Sequence, residues 1–141
     1  MRTGATHAEF IKANADGEFY FLEIASRVGG AYIADVLEAA SGVNLWREWA
    51  HLEIAGEDGK RKTLRPLKQY GGIVLSLAKQ EDPDTSAYDD PEIVYRVKKR
   101  HHAGLIVGAA KIERVNELVE DYGRRFVEDF IAVLPPLERP E

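Results

Sequence analysis

Two glutamates, Glu9 and Glu23, lie on either side of a short segment whose composition predicts a tight turn. The turn is Asn14–Gly17, and its final glycine is suited to the left-handed backbone conformation that closes a three-residue hairpin loop with a bulge. Counting outward from that loop places Glu9 directly opposite Glu23. The sequence therefore predicts two carboxylates side by side on one face of a hairpin.

Opposed carboxylates need a partner of opposite charge. A two-residue Asp-Gly turn would place Glu9 opposite Ile24 and hide one carboxylate from the other. In the register that the three-residue loop produces, Glu9 and Glu23 face each other, and their like charges destabilise the sheet. A bound divalent metal is the natural compensating cation. Strand alternation groups Phe21 and Arg27 with Glu23, and a guanidinium beside a metal suits a bound phosphate.

These residues resemble a known family. Glu9, Glu23 within the run FLEIASR, and Gly29-Gly30 before a predicted helix resemble the last metal-binding segment of the ATP-grasp ligases, such as carboxylate–amine ligases and biotin carboxylase-like enzymes. The resemblance implies that both glutamates hold Mg²⁺ (or Mn²⁺) on the phosphates of ATP and that Arg27 stabilises an acyl-phosphate. Backbone amides near the two glycines would hold oxygens of the bound groups. One residue departs from the pattern: Ala25 stands where the family usually has an asparagine ligand.

The resemblance extends beyond the hairpin to Val36–Trp46, to Tyr70–Gly72 and to the last strand and helix. It implies that residues 1–141 form one domain, the C-terminal ATP-grasp subdomain of a longer protein. ATP and a small carboxylate substrate would then be bound together with upstream parts that carry the adenine pocket. The fragment alone is expected to be inactive, and a homodimer is compatible with its sequence.

Composition narrows the class of protein. The 141 residues carry a net charge of −5, are 45% hydrophobic and include no cysteine. An acidic chain does not favour a general nucleic-acid or anionic-membrane binder, and thiolate catalysis, disulfides and cysteine metal sites are excluded. The apolar runs are too short to span a bilayer, and no signal-peptide core is present. We therefore expect a cytoplasmic protein.

Hydrophobic periodicity predicts an α+β fold, with an antiparallel sheet of about five strands and helices packed on one face. The predicted strands are Thr6–Ala13, Glu18–Ser26, Gln69–Leu77, Ile93–Lys99 and Leu105–Ala109. The predicted helices are Ala31–Ala40, Leu45–Ala55 and Ile112–Val133.

Two charged segments and an aromatic pair leave alternatives open. The acidic segment 80–91 lacks periodicity and predicts a mobile loop. Arg96, Lys98 and Arg100 recur at period two, which indicates either a solvent-facing strand or a contact with a carboxylate or phosphate. Trp46 and Trp49 are typical of a core or a domain interface.

Four functional interpretations remain. The first is part of an ATP-dependent, ADP-forming ligase, and the second is a non-catalytic binding module derived from one, which Ala25 favours. The third is a sugar hydrolase with two carboxylates about 5 Å apart at Cβ, although the sequence shows no aromatic-lined groove. The last is purely structural, with Glu9 and Glu23 as surface residues of a stable hairpin.

Overall fold

A computed structural model describes residues 4–56 and 64–131, and the chain divides after Leu67 into two compact units. The first unit contains β1 (His7–Lys12), β2 (Phe19–Ala25), α1 (Ile33–Ser41) and α2 (Leu45–Ala55). The second contains β3 (Tyr70–Leu77), β4 (Ile93–Arg96), β5 (His102–Ala109) and α3 (Ile112–Asp129).

The predicted α+β class with antiparallel strands is confirmed. All five predicted strands are present, but they form two sheets: β1 pairs with β2, and the second unit has the strand order β3-β5-β4. Helix α2 has the predicted bounds. Strand β4 ends at Arg96 instead of Lys99, because the chain turns back towards β5 through His101, whose φ is 56°. Helix α3 ends at Asp129, so Phe130 and Ile131 of the predicted last helix are not helical, and Ile131 instead forms a β-bridge with Ala78. Residues 132–133 of that prediction lie outside the described residues.

In the first unit, local signals define where the two helices meet. Helix α1 ends at Gly42, whose φ of 71° lets its amide donate to the Glu38 carbonyl at 2.7 Å. Two residues later, the Asn44 side chain accepts a hydrogen bond from the Arg47 amide at 2.8 Å and caps α2. Glycine and asparagine are residue types that helices favour at these two positions.

The core of the second unit lies between its sheet and one face of α3. The buried face of α3 consists of Val115, Leu118, Tyr122 and Phe126, which repeat at helical spacing, and it packs against β3 and β5. This packing is close at Gly72, where a Cβ atom would lie 2.7 Å from Val115 Cγ1. The strand therefore needs glycine at that position to let the helix approach.

The acidic segment 80–91 is anchored and not mobile as predicted. Arg96 donates to the carbonyls of both Thr85 and Tyr88. The Tyr88 ring is fully buried, and its hydroxyl donates to Asp129 Oδ2 at 2.7 Å. A segment without hydrophobic periodicity is thus fixed by one arginine and one tyrosine, which periodicity does not reveal.

Within the described ranges, no helix is long and apolar enough to cross a membrane.

Candidate functional site

The two predicted carboxylates lie opposite each other. In the β1–β2 hairpin, Glu9 pairs with Glu23 and His7 pairs with Ala25. Because directly paired residues share a face of the ladder, the side chains of these four residues belong to one face. We call this set the carboxylate face.

The route to this register differs from the predicted one. Ala13 pairs with Glu18, donating to its carbonyl at 3.0 Å and accepting from the Gly17 amide at 2.9 Å. The loop therefore has four residues, 14–17, where the sequence analysis expected three, although Gly17 has the expected positive φ of 75°. If the two strands paired without interruption outward from this loop, Glu9 would lie opposite Leu22.

An irregularity in the ladder corrects the register. Phe10 pairs with Phe21, whereas its neighbour Glu9 pairs with Glu23, so Leu22 has no partner of its own in the ladder. This is the pattern of a β-bulge, in which one extra residue shifts the pairing. The bulge is what brings the two glutamates together.

The bulge also changes which aromatic residues lie beside the carboxylates. Phe21 shares a face with its partner Phe10, and their rings meet edge to face with centroids 5.8 Å apart. Because Phe10 follows Glu9 directly, it points to the other face of the strand. The prediction that Phe21 shares a face with Glu23 was therefore wrong.

The loop is fixed by an aspartate that the site hypothesis did not use. Asp16 accepts hydrogen bonds from the Glu18 amide at 2.9 Å and from the Tyr20 hydroxyl at 2.8 Å. These two contacts, the amide first, lower the pKa of the Asp16 carboxyl below its ordinary value. The loop is therefore held closed by a carboxylate that is ionised at neutral pH.

His7 is a member of the carboxylate face that sequence reasoning missed. Its Nε2 atom lies 3.8 Å from Glu9 Oε1, and only 18% of its side chain is exposed. Its Nδ1 atom is buried without a hydrogen-bond partner among the described residues. The period-two spacing of His7 and Glu9 was the available signal, since alternate strand residues share a face.

Arg27 and the two glycines lie together after β2. The Arg27 Nη1 atom donates to the Val28 carbonyl at 3.2 Å and lies 4.0 Å from the position of a Cβ added at Gly30. Gly29 is buried, and a Cβ there would lie 3.1 Å from Ile33 Cγ2. The exposed guanidinium is thus next to the glycine turn that leads into α1.

The backbone between these glycines and α1 is unusual. Ala31 and Tyr32 have φ values of 49° and 64°, a region that residues with a Cβ seldom adopt. Helix α1 consequently begins at Ile33, two residues later than predicted. Strained backbone of this kind occurs most often at binding and catalytic sites.

The carboxylate face offers oxygen donors, the ligands that Mg²⁺ prefers. Glu9 is half-buried and Glu23 is exposed, so both carboxylates can reach a ligand from solvent. In the described part of the chain, however, no three His, Asp or Glu side chains converge as a metal-binding group. The residues present fit a metal that takes its remaining ligands from phosphate oxygens or water.

The charged residues of the second unit are engaged in structural contacts. Arg114 binds Asp90 at 2.6 Å and Glu92 at 2.9 Å, and the Tyr122 hydroxyl donates to the second oxygen of Asp90. These contacts hold the pKa of Asp90 below its ordinary value, with the Tyr122 hydrogen bond as the main cause. The network joins the anchored acidic segment to α3.

The basic residues of the second unit are partly engaged as well. Arg96 binds backbone carbonyls, as described above, and Arg100 forms an ion pair with Glu81. The alternative in which Arg96 contacts a substrate anion loses support, because its guanidinium already binds the acidic segment.

Solved structures that share this fold include a ligase and a synthetase. The crystal structure of L-amino acid ligase from Bacillus licheniformis matches with a TM-score of 0.62 at 14% identity, over 96% of this chain and 37% of that one. Phosphoribosylglycinamide synthetase from Anaerococcus prevotii matches with a TM-score of 0.52 at 13% identity, over 94% of this chain and 37% of that one. The chain therefore has the fold of a portion of each of these two enzymes.

The chain spans little more than a third of either ligase. No protein-family model matches it, and no curated protein sequence matches it.

Proposed function

We propose that the chain is the metal-binding C-terminal portion of an ATP-dependent, ADP-forming ligase. The observation that carries the proposal is the direct pairing of Glu9 with Glu23 on a fold shared with ATP-grasp ligases. Opposed carboxylates cost stability unless a cation offsets their repulsion, which gives this arrangement a functional reason.

Each residue of the site has a role in such a reaction. A carboxylate substrate would take the γ-phosphoryl group of ATP, ADP would leave, and an amine or another nucleophile would then displace phosphate from the acyl-phosphate. Glu9 and Glu23 would hold Mg²⁺, which would neutralise the charge of the phosphates when bound. Arg27 would stabilise the transferred group through its guanidinium, since phosphoryl transfer depends on positioning and charge neutralisation.

The glycine turn would serve the same purpose through its backbone. Gly29 and Gly30 lack side chains, so phosphate or substrate oxygens can approach the amides between β2 and α1. The positive φ values at Ala31 and Tyr32 support a binding role for this turn, because such strain is retained where the geometry is useful. The adenine pocket and the substrate-selecting residues would lie in other parts of a longer protein.

A non-catalytic binding module is the second candidate. Ala25 cannot supply the amide oxygen that the family resemblance leads us to expect, and no three ligating side chains converge in the described residues. Such a module would keep the fold and the hairpin but would not bind nucleotide in a metal-dependent way. The same experiment separates the two candidates.

The test is isothermal titration of ADP with Mg²⁺ into the parent protein that carries this chain. We expect nucleotide binding that requires Mg²⁺, and a loss of that binding in Glu23→Gln, which keeps the side chain's shape and removes its charge. Glu18→Gln is the matched control, because Glu18 is an exposed glutamate of the same hairpin beyond the carboxylate face.

If Glu23→Gln and Glu18→Gln bind the nucleotide equally well, the carboxylate face is not the nucleotide-metal site. If the wild-type protein itself fails to bind, the non-catalytic module becomes the better description.

A further inference from the structure

We propose that the edge of β4 binds an extended acidic segment of a partner protein, which adds a strand to the sheet of the second unit. The surface concerned contains none of the residues assigned to the ligase reaction, so the inference is independent of the proposed function. It gives a role to the basic residues that follow β4.

Strand β4 is paired on one side. The second sheet has the order β3-β5-β4, and among the described residues no strand pairs with the other side of β4. Val97, which directly follows β4, donates its amide to the Gly104 carbonyl of β5 at 2.9 Å. Because successive residues of a strand direct their main-chain groups to opposite sides, those of Arg96 and Lys98 point away from β5. An added strand can hydrogen-bond to this edge, as in other domains that capture extended peptides.

Two grooves follow this edge and meet at Lys98. The first has a volume of about 440 Å³ and is lined by Ile93, Val94, Tyr95, Arg96 and Lys98. The second has a volume of about 370 Å³ and is lined by Asp82, Pro83, Val97, Lys98, Lys99 and Arg100. We call the two together the β4 groove. Both volumes fall in the range of roughly 300–1,000 Å³ that is common for binding sites.

The β4 groove is basic, although the chain as a whole carries a net charge of −5. Four cationic residues line it, and Asp82 is the one acidic residue of the lining. The ammonium groups of Lys98 and Lys99 are exposed and have no hydrogen-bond or ion-pair partner among the described residues. Arg100 pairs with Glu81 at 2.5 Å but remains 74% exposed. A local charge opposite to that of the protein indicates an acidic partner.

The residues around β4 favour an acidic partner over a second copy of this chain. Lysines and bulges at an edge discourage pairing with an uncharged or like-charged strand, and β4 has both Lys98 beside it and an irregularity in its pairing with β5. The acidic residues that precede β4 in a second copy are already engaged, because Arg114 binds both Asp90 and Glu92. A strand with unpaired carboxylates would instead be attracted by the lysines.

The two faces of the edge predict the sequence pattern of the bound segment. Arg96 and Lys98 share one face of the extended chain, whereas Tyr95 and Val97 belong to the other. Tyr95 is 43% exposed, so this second face offers apolar surface. Side chains of an added strand alternate between the two faces in the same way. We therefore expect a segment in which carboxylates alternate with apolar residues.

The experiment measures peptide binding to the parent protein that carries this chain. A fluorescein-labelled octapeptide of alternating glutamate and valine is titrated and followed by fluorescence anisotropy. A second peptide of the same sequence carries N-methyl groups on alternate residues, which remove main-chain donors and keep every charge. We expect the N-methylated peptide to bind about tenfold or more weakly, because an added strand depends on main-chain hydrogen bonds.

Variants of the protein test the lysines. Lys98→Gln combined with Lys99→Gln should weaken binding of the unmodified peptide about threefold to tenfold and reduce its dependence on salt. Lys68→Gln combined with Lys111→Gln is the matched control, since it removes two exposed lysines of the same unit outside the β4 groove and should leave binding unchanged.

Three results would overturn the inference: no binding of the unmodified peptide, equal binding of the two peptides, or equal losses in the lysine and control variants. Displacement of the peptide by a lower concentration of oligouridylate would also overturn it, because the lysines would then form a nucleic-acid site. Glu23→Gln should bind the peptide as the wild type does, so a failure of this inference and a failure of the proposed metal site are separate results.

Discussion

Glu9 lies directly opposite Glu23, although the four-residue loop that joins their strands would by itself place Glu9 opposite Leu22. The extra residue in β2 compensates for the longer loop, so the two irregularities cancel at the carboxylates. A bulge next to a proposed site is consistent with the common use of bulges to reorient side chains.

The bulge makes an unusual deletion tolerable. Removing Leu22 would let the ladder run without interruption from Ala13–Glu18 and would still place Glu9 opposite Glu23. We therefore expect the deletion variant to fold and to bind ADP with Mg²⁺ as the wild type does, measured by isothermal titration into the parent protein and by amide exchange of the hairpin.

The matched control is deletion of Phe10 on the partner strand. That change would leave two residues of β2 unmatched and should disrupt the pairing of the glutamates. If deletion of Leu22 weakens metal binding as strongly as deletion of Phe10, the bulge does more than correct the register.

We predict that alanine substitutions at two glycines of the second unit change the free energy of unfolding in opposite directions. At Gly72 an added Cβ would lie 2.7 Å from Val115 and 2.8 Å from Val119, so Gly72→Ala should lower the free energy of unfolding by about 1–3 kcal/mol. At Gly123, within α3, nothing lies within 4 Å of an added Cβ, so Gly123→Ala should raise that free energy by about 1 kcal/mol. Urea denaturation of both variants measures the difference. Equal effects would contradict the close packing of α3 on β3.

The ion-paired network of the second unit predicts sensitivity to acid. Tyr122 and Arg114 hold the pKa of Asp90 below its unfolded value, and Arg114 does the same for Glu92. A carboxyl whose pKa is lower in the folded state contributes stability above its unfolded pKa, near 4 in both cases, and this contribution is lost as the pH falls through the folded pKa. Stability should therefore decrease from about pH 4 downwards.

Asp90→Asn should reduce that dependence on pH, because the variant has one fewer carboxyl with a lowered pKa. Urea denaturation at pH 5, 4 and 3 measures the slope, with Glu120→Gln, an exposed glutamate of α3, as the control. A slope in Asp90→Asn equal to that of the control would show that the network does not control acid stability.

The aromatic face of the hairpin predicts self-association of the isolated chain. Phe10, Phe19 and Phe21 belong to the face opposite the carboxylates and are 58%, 69% and 60% exposed. Exposed apolar surface of this extent commonly marks an interaction site. We expect the light-scattering mass to rise with concentration, and the rise to disappear in a Phe19→Ser and Phe21→Ser double variant.

Ile11→Ser is the control for that experiment, because Ile11 follows Phe10 directly on β1 and therefore lies on the face opposite the three phenylalanines. A wild-type chain that stays monomeric at high concentration would contradict the prediction, as would equal loss of association in the control.

The sequence predicted much of this fold from short-range signals. The α+β class, the five strands and the bounds of α2 follow from hydrophobic periodicity. The site pair was also predicted, but by a loop one residue too short and without the bulge at Leu22. A three-residue loop with regular pairing and a four-residue loop with a bulge both place Glu9 opposite Glu23. The sequence pattern could therefore not distinguish these two hairpins.

Features that depend on contacts distant in sequence were missed. Arg96 reaches carbonyls 8 and 11 residues earlier, which periodicity cannot indicate, so the acidic segment was taken for a mobile loop. His7 was overlooked although it lies two residues before Glu9, a spacing that places both side chains on one face of a strand.

The anchoring of the acidic segment also matters for protein engineering. By sequence, residues 80–91 look like the natural place to insert a peptide tag or a fluorescent reporter, since they are polar and irregular. Arg96 binds two of the carbonyls there, and Tyr88 is enclosed. Tolerance of an insertion depends on the burial and hydrogen bonding of the affected backbone. An insertion between Thr85 and Tyr88 would separate the two carbonyls that Arg96 binds and is therefore expected to destabilise the second unit.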